Sequence, residues 1–156
     1  MALKISTVNT IIISFVLVLA FYCQAASAQL QVSNATVRLL PPGVPNTSAY
    51  FTIENSGTQD QSIVAAELNF ARKAELHAHI MDGDMMRMEQ QQQVRIAAGE
   101  SVTFKPGGLH VMIFGLAEPL QENQQVSFTL VTGDNQKIDV TATVVMPGNE
   151  SSHHHQ

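Results

Sequence analysis

The residues best suited to chemistry in this chain are histidines and methionines gathered in two short segments. Every histidine outside the C-terminal run lies there, as do five of the seven methionines. The first segment holds His77, His79, Met81, Met85, Met86 and Met88, and the second holds His110 and Met112. Imidazole nitrogen and thioether sulfur, without cysteine or a carboxylate cluster, suit a soft ion such as Cu(I). The alternative is that these methionines fill gaps in a hydrophobic core.

The N-terminal stretch predicts export from the cytoplasm. Lys4 is followed by an apolar run over residues 11–21 and then by the sequence ASA at residues 26–28, which is the pattern of a cleavable secretory signal peptide. The run is shorter than the roughly 20 apolar residues that span a bilayer. We therefore expect residues 1–28 to be removed and Gln29 to begin the mature chain; an uncleaved membrane anchor is the alternative.

Removal of the signal peptide decides the cysteine content and the charge. Cys23 is the only cysteine, so the mature chain can form no disulfide and offers no thiolate, which excludes a blue-copper electron-transfer site. The bulky Tyr22 before it is atypical of a lipoprotein attachment site. Seven basic and thirteen acidic residues remain, a net charge of −6 without a basic patch. Nucleic acid and anionic membranes are therefore not expected partners, and we expect a monomer without stable membrane insertion.

Short strand-like segments recur through residues 29–146, which we predict to be one domain. Turn signals rich in proline, glycine and asparagine separate them. The segments cover residues 30–40, 48–55, 61–68, 74–81, 85–89, 96–104 (two short pieces around Gly99-Glu100), 109–114, 125–131 and 137–145. About eight or nine such strands, with no long helical period, predict an all-β sandwich or barrel, although residues 65–68 could also suit a helix. Residues 147–156 are predicted to be a flexible tail.

A period of two places the candidate ligands of the first segment on one face. In residues 74–81 the two histidines and Met81 alternate with Leu76, Ala78 and Ile80, so an apolar face would meet the core and a ligand face would lie outside it. The turn residues Asp82-Gly83-Asp84 predict a hairpin that brings Met86 and Met88 back on the histidine side.

The second segment offers two ligands from one strand. His110 and Met112 are two residues apart, so their side chains project to the same side, roughly 6.5–7 Å apart along the strand. A neighbouring strand or hairpin must supply the remaining ligands, and His77 with Met88 are well placed to do so. Two histidines and two methionines suit Cu(I), whereas calcium and magnesium prefer oxygen ligands and structural zinc prefers thiolates or several imidazoles.

Four of these residues stand at distinctive spacings. His77, ten residues, Met88, twenty-one residues, His110, one residue and Met112 follow one another in this order. The arrangement resembles the H-x10-M-x21-H-x-M signature of the periplasmic copper chaperone family PCu(A)C, and the likeness covers about residues 30–146. It implies a cupredoxin-like Greek-key β-sandwich in the periplasm that binds one Cu(I) at an exposed site through these four residues. It also implies delivery of the ion for assembly of the CuA centre of cytochrome c oxidase, to the oxidase subunit or to another copper chaperone.

The remaining histidines and methionines fall outside this pattern. Candidate secondary metal ligands are Met86, His79, His153, His154 and His155, and the last three could bind Cu(II) or form only a flexible tail. Met81 and Met85 could belong to a capture shell or to the surface, and we expect the latter for Met85. No proton-transfer pair or nucleophile is evident, so we do not expect an enzyme. The alternative functions are a metal-free extracytoplasmic binding module and copper storage or scavenging without specific delivery.

Overall fold

A computed structural model describes residues 30–148 and contains ten strands. They are β1 (Leu30–Arg38), β2 (Asn46–Asn55), β3 (Gln61–Leu68), β4 (Ala71–Asp82), β5 (Met85–Gln90), β6 (Val94–Ile96), β7 (Ser101–Phe104), β8 (Leu109–Leu116), β9 (Gln125–Thr132) and β10 (Lys137–Val145). No helix in the described part of the chain is long and apolar enough to cross a membrane. The predicted signal peptide with Cys23 and the histidines of the C-terminal run lie outside the described residues.

The strands form one continuous hydrogen-bonded sheet. The strand order is β5-β4-β8-β2-β1-β10-β9-β3-β6. Strand β7 is not part of this order and pairs with β2. The pairing of β1 with β10 is parallel, and the other recorded pairings are antiparallel. The prediction of an all-β sandwich is confirmed. The alternative helix at residues 65–68 is wrong, because this segment pairs with β9 in the second half of β3.

The strand count exceeds the predicted eight or nine. The prediction of two short strand pieces around Gly99-Glu100 is confirmed, and the φ of 74° at Gly99 lies in the left-handed region that glycine adopts readily. The pieces on either side pair with different partners: β6 pairs with β3, and β7 pairs with β2. The two pieces therefore count as separate strands.

The hydrophobic core lies where the sheet folds over on itself. Phe51 of β2 stacks on Phe104 of β7, with ring centroids 4.3 Å apart, and meets Phe128 of β9 at 6.0 Å. Because β2 and β9 are not neighbours in the sheet order, this contact joins its two halves. Burial of such apolar surface is the main favourable term in folding.

Two adjacent strands, β4 and β8, position the histidines. Leu76 of β4 lies opposite Val111 of β8, and both side chains are buried in the core. Since side chains alternate between the two faces of a strand, the residues that follow and precede this pair must point away from the core. His77 and His110 occupy those positions and lie opposite each other. The apolar pair thus fixes the face on which the histidines lie.

Candidate metal centre

The register of β4 and β8 gathers two histidines and one methionine on one face. His77 lies directly opposite His110, and their ring centroids are 5.8 Å apart. Met112, two residues along β8, lies on the same face opposite Glu75. Directly opposed residues in an antiparallel pair are the closest side-chain neighbours in a sheet. The two segments singled out in the sequence therefore meet in space.

Met88 reaches this group from the neighbouring strand β5. The β4–β5 hairpin turns at Gly83, whose φ is 63°, as a short hairpin loop requires. Met88 lies opposite His79, whereas His77 lies opposite Gln90. Met88 is therefore a diagonal neighbour of His77, at the roughly 7–8 Å that long side chains span. The prediction that the hairpin returns Met88 on the histidine side is confirmed.

Each of the two opposed histidines uses one ring nitrogen in a recorded hydrogen bond. His110 Nδ1 donates to the Gly108 carbonyl at 3.0 Å, which leaves the lone pair on Nε2. His77 Nε2 donates to Glu75 Oε2 at 2.9 Å, while its Nδ1 is buried without a partner among the described residues. Metal-ligating histidines commonly donate their second ring N–H to a carboxylate or a backbone carbonyl. The two imidazoles are thus oriented as metal ligands would be.

Burial favours the neutral form of His110. Its residue surface is only 3 % exposed. This desolvation lowers the pKa of His110 below its ordinary value, against the Gly108 hydrogen bond, which acts to raise it, and the nearby His79 and His77 lower it further. The neutral imidazole is the form that binds a metal. The sequence predicted an exposed site, and for His110 this is wrong, because the rings of His77 and His79 pack close to it.

Glu75 is a functional candidate that the sequence interpretation missed. Its carboxylate accepts hydrogen bonds from His77 and, at 2.7 Å, from Lys73 Nζ. The Lys73 hydrogen bond first, and the His77 hydrogen bond second, hold the pKa of Glu75 below its usual range. The carboxylate is therefore ionised at neutral pH and fixes the orientation of the His77 ring. Its position two residues before His77, on the same strand face, was the signal available in the sequence.

We expect Glu75→Gln to weaken metal binding at this face. The glutamine keeps the shape but removes the charged acceptor that orients the His77 ring, and loss of such a partner typically lowers metal affinity by about 10–100-fold. A Cu(I) competition titration measures the change. The matched control is Glu67→Gln on β3, whose exposed carboxylate pairs with Lys137. Equal affinities for the two variants would show that Glu75 does not act on the site.

Met112 is also held by a neighbour that the sequence did not indicate. Ser48 of β2 lies opposite Met112 in the β2–β8 pair, and its hydroxyl donates to Met112 Sδ at 3.5 Å. The sulfur of a thioether is a weak hydrogen-bond acceptor. The contact therefore orients the Met112 side chain, and breaking this hydrogen bond costs little free energy. Phe114, next on the same face, places its ring 6.1 Å from that of His77. The site is therefore bordered on the β2 side by polar and aromatic groups.

The packing explanation fails for all four methionines in the first segment. The exposed fractions are 64 % for Met81, 72 % for Met85, 61 % for Met86 and 47 % for Met88. Core fillers would be buried. The register separates Met85, which lies opposite Asp82, from the other three, which share the histidine face. The expectation that Met85 belongs to the surface agrees with this exposure.

His79 lies closer to His110 than the four-residue signature indicates. Its ring stacks on that of His110, with centroids 5.1 Å apart, and its Nδ1 is buried without a partner among the described residues. Within residues 30–148, no group of three or more histidine, cysteine, aspartate or glutamate side chains is arranged to hold a metal ion. What the strands bring together is a mixed set of imidazoles and thioethers, which suits a soft monovalent ion.

The fold and this face define a β-sandwich domain with a histidine–methionine cluster on its outer surface, and comparisons with known proteins place it in a family. The family described as "LpqE-like: Putative lipoprotein LpqE-like" matches residues 30–144. A relative from Leifsonia xyli subsp. xyli, "Putative lipoprotein Lxx21020", is 32 % identical over 116 residues, which cover 74 % of this chain and 69 % of the relative. The chain belongs to the LpqE-like family.

Solved structures share the fold. The copper-bound PCuAC domain from PmoF2 aligns with a TM-score of 0.66 at 16 % identity, covering 78 % of this chain and 97 % of that domain. The solution structure of CuI-DR1885 from Deinococcus radiodurans aligns with a TM-score of 0.62 at 32 % identity, covering 79 % and 81 %. The predicted cupredoxin-like fold and the resemblance to PCu(A)C domains are confirmed.

Proposed function

We propose that this protein is an extracytoplasmic copper chaperone that binds one Cu(I) through His77, Met88, His110 and Met112. The observation that carries the proposal is the register of β4 and β8, which sets His77 opposite His110 on one face with Met112. Each imidazole makes its recorded hydrogen bond through one ring nitrogen, which leaves the other available to a metal, and Met88 lies on the same face on β5. The similar structures of a copper-bound PCuAC domain and of CuI-DR1885 support copper as the ion.

The ligand chemistry suits a carrier better than a permanent holder. Thioethers and neutral imidazoles bind Cu(I) without a thiolate, so the ion can pass by ligand exchange to an acceptor that offers cysteine sulfur. We infer that the acceptor is the CuA-bearing subunit of cytochrome c oxidase or a second copper chaperone. Binding and release exchange only coordination bonds to the ion, and we propose no enzymatic activity.

Export is the setting that this function needs. The family description refers to lipoproteins, which are exported proteins, and this supports transport of the chain out of the cytoplasm. Cys23 is the sole cysteine available for lipidation, and bulky Tyr22 precedes it. We therefore propose cleavage after Ala28 and a protein free in the periplasm. The intact mass of the exported chain checks this: a mass beginning at Gln29 supports it, and a lipidated chain beginning at Cys23 contradicts it.

Transfer of Cu(I) from the purified chain tests the proposed function. We expect anaerobic competition with a chelator to give one tightly bound Cu(I) per chain, and mixing with an apo CuA domain to move that copper to the acceptor. Metal analysis of the separated proteins measures the outcome. A chain that takes up no Cu(I) would favour a metal-free binding module. Copper that stays on the chain with every copper-accepting partner would favour storage.

A further inference from the structure

The tip of the β4–β5 hairpin carries three methionines on one exposed face. Met81 lies directly opposite Met86, and both are more than half exposed. Met88 follows two residues along β5, between this pair and the opposed histidines, and is 47 % exposed. β5 is the last strand of the sheet on this side. Clustered apolar side chains on an open edge cost stability and solubility unless they bind something.

The opposite face of the same hairpin is different in character. Arg87 forms ion pairs there with Asp82 at 3.2 Å and with Glu89 at 3.6 Å. Met85 belongs to this charged face, because it lies opposite Asp82 in the register. The three other methionines are therefore sorted onto the face that continues into the histidines. Such sorting on an exposed hairpin indicates a ligand for sulfur rather than general hydrophobicity.

We propose that Met81, Met86 and Met88 form an outer Cu(I) site at the hairpin tip, which loads and unloads the inner site by sharing Met88. This inference rests on the proposed function. Side chains of opposed residues start about 5 Å apart and those of diagonal neighbours about 7–8 Å apart, so three flexible thioethers can converge on one ion. Three neutral sulfur ligands suit Cu(I) and disfavour Cu(II), zinc and magnesium.

Passage between the two sites is a ligand exchange that conserves charge. Cu(I) keeps its bond to Met88 while the sulfur atoms of Met81 and Met86 leave and the nitrogens of His77 and His110 and the sulfur of Met112 bind. All the ligands are neutral, so no proton is released and the copper stays monovalent. The exposed outer site meets the donor or acceptor, and the inner site, where His110 is buried, retains the ion. Because Met88 is shared, the two sites are filled alternately.

The first test uses a chain whose inner site is disabled. In His110→Ala/Met112→Ala protein with ¹³C-methyl methionine, we expect anaerobic Cu(I) to shift the methyl signals of Met81, Met86 and Met88 and to leave those of Met85 and Met146 unchanged. Adding Met81→Leu and Met86→Leu should abolish the Met88 shift, while Met85→Leu, the matched control on the opposite face, should not. If Cu(I) does not shift the methyl signals of Met81 and Met86, the proposal of an outer site is wrong. The amide spectrum verifies that each variant is folded.

The second test keeps the inner site intact and so does not depend on the alanine variants. Leucine is close to methionine in volume, and such swaps are well tolerated. We expect Met81→Leu/Met86→Leu protein to bind one Cu(I) in a chelator competition but to take it up and release it more slowly than wild-type and Met85→Leu protein. Equal rates would overturn the loading role. If wild-type protein binds no Cu(I) either, the proposed function itself is wrong, and this outcome is distinct from the first.

Discussion

Replacing His110 and Met112 together with alanine is expected to abolish tight Cu(I) binding. The change removes one nitrogen and one sulfur ligand of the proposed four, and the remaining His77 and Met88 are only diagonal neighbours. Loss of an outer partner of a ligand already lowers metal affinity by about 10–100-fold, and loss of two ligands must exceed that. An anaerobic titration against a chelator that outcompetes binding by thioethers alone measures the effect.

The double variant needs a control for folding and one for general loss of sulfur. His110 is buried, so its truncation leaves a cavity and lowers stability. Circular dichroism before and after a thermal scan therefore accompanies the titration. Met85→Ala removes an exposed thioether from the other face of the hairpin and should bind Cu(I) like the wild type. A folded double variant that still binds one Cu(I) against the chelator would contradict the ligand assignment.

Local pattern was sufficient to predict which side chains share a face. Alternation over residues 74–81 placed the histidines on one face of the strand and Leu76 on the other. In the structure Leu76 is buried in the core and His77 lies on the outer face. The turn residues after Met81 likewise predicted the hairpin that carries Met88. These features depend only on the period of a strand and on a short loop, both of which are encoded within a few residues.

Contacts between distant segments could not be predicted in the same way. No local rule states that His77 lies opposite His110, because the register of β4 and β8 depends on how both strands pack on the rest of the core. The near burial of His110 and its hydrogen bond to Gly108 follow from that packing. Spacing also did not show that His79, and not His77, is the residue directly opposite Met88. The proposed set of four ligands therefore came from the resemblance to the PCu(A)C signature, because periodicity does not state which distant strands are neighbours.

The proposed copper site combines one buried, preorganised ligand with one exposed ligand. His110, with its lowered pKa and its hydrogen bond to Gly108, is preorganised and stays neutral, so binding needs little rearrangement. Met88 lies at the other extreme, half-exposed on the edge strand β5. An acceptor can displace an exposed thioether before it reaches the buried imidazole. We therefore expect release of Cu(I) from the proposed site to begin at its methionine side.

Phe51→Ala is expected to cause the largest loss of stability without touching the proposed ligands. The ring is 2 % exposed, stacks on Phe104 and contacts Phe128 across the core. Truncation of a buried phenylalanine costs about 3–5 kcal/mol of the free energy of unfolding. That is a large part of the roughly 5–15 kcal/mol that stabilises an ordinary domain. Urea unfolding monitored by circular dichroism measures the change.

Phe70→Ala is the matched control for Phe51→Ala. Phe70 lies only partly buried against the same core, so its truncation removes less buried surface and should cost clearly less. Below its unfolding transition, the Phe51→Ala protein should still bind one Cu(I), because the pairing of β4 with β8 sets the histidines opposite each other and Phe51 lies on neither strand. Equal losses for the two variants would show that the aromatic stack does not join the halves of the sheet. Loss of copper binding by folded Phe51→Ala protein would show that the site depends on the whole core rather than on the β4–β8 register.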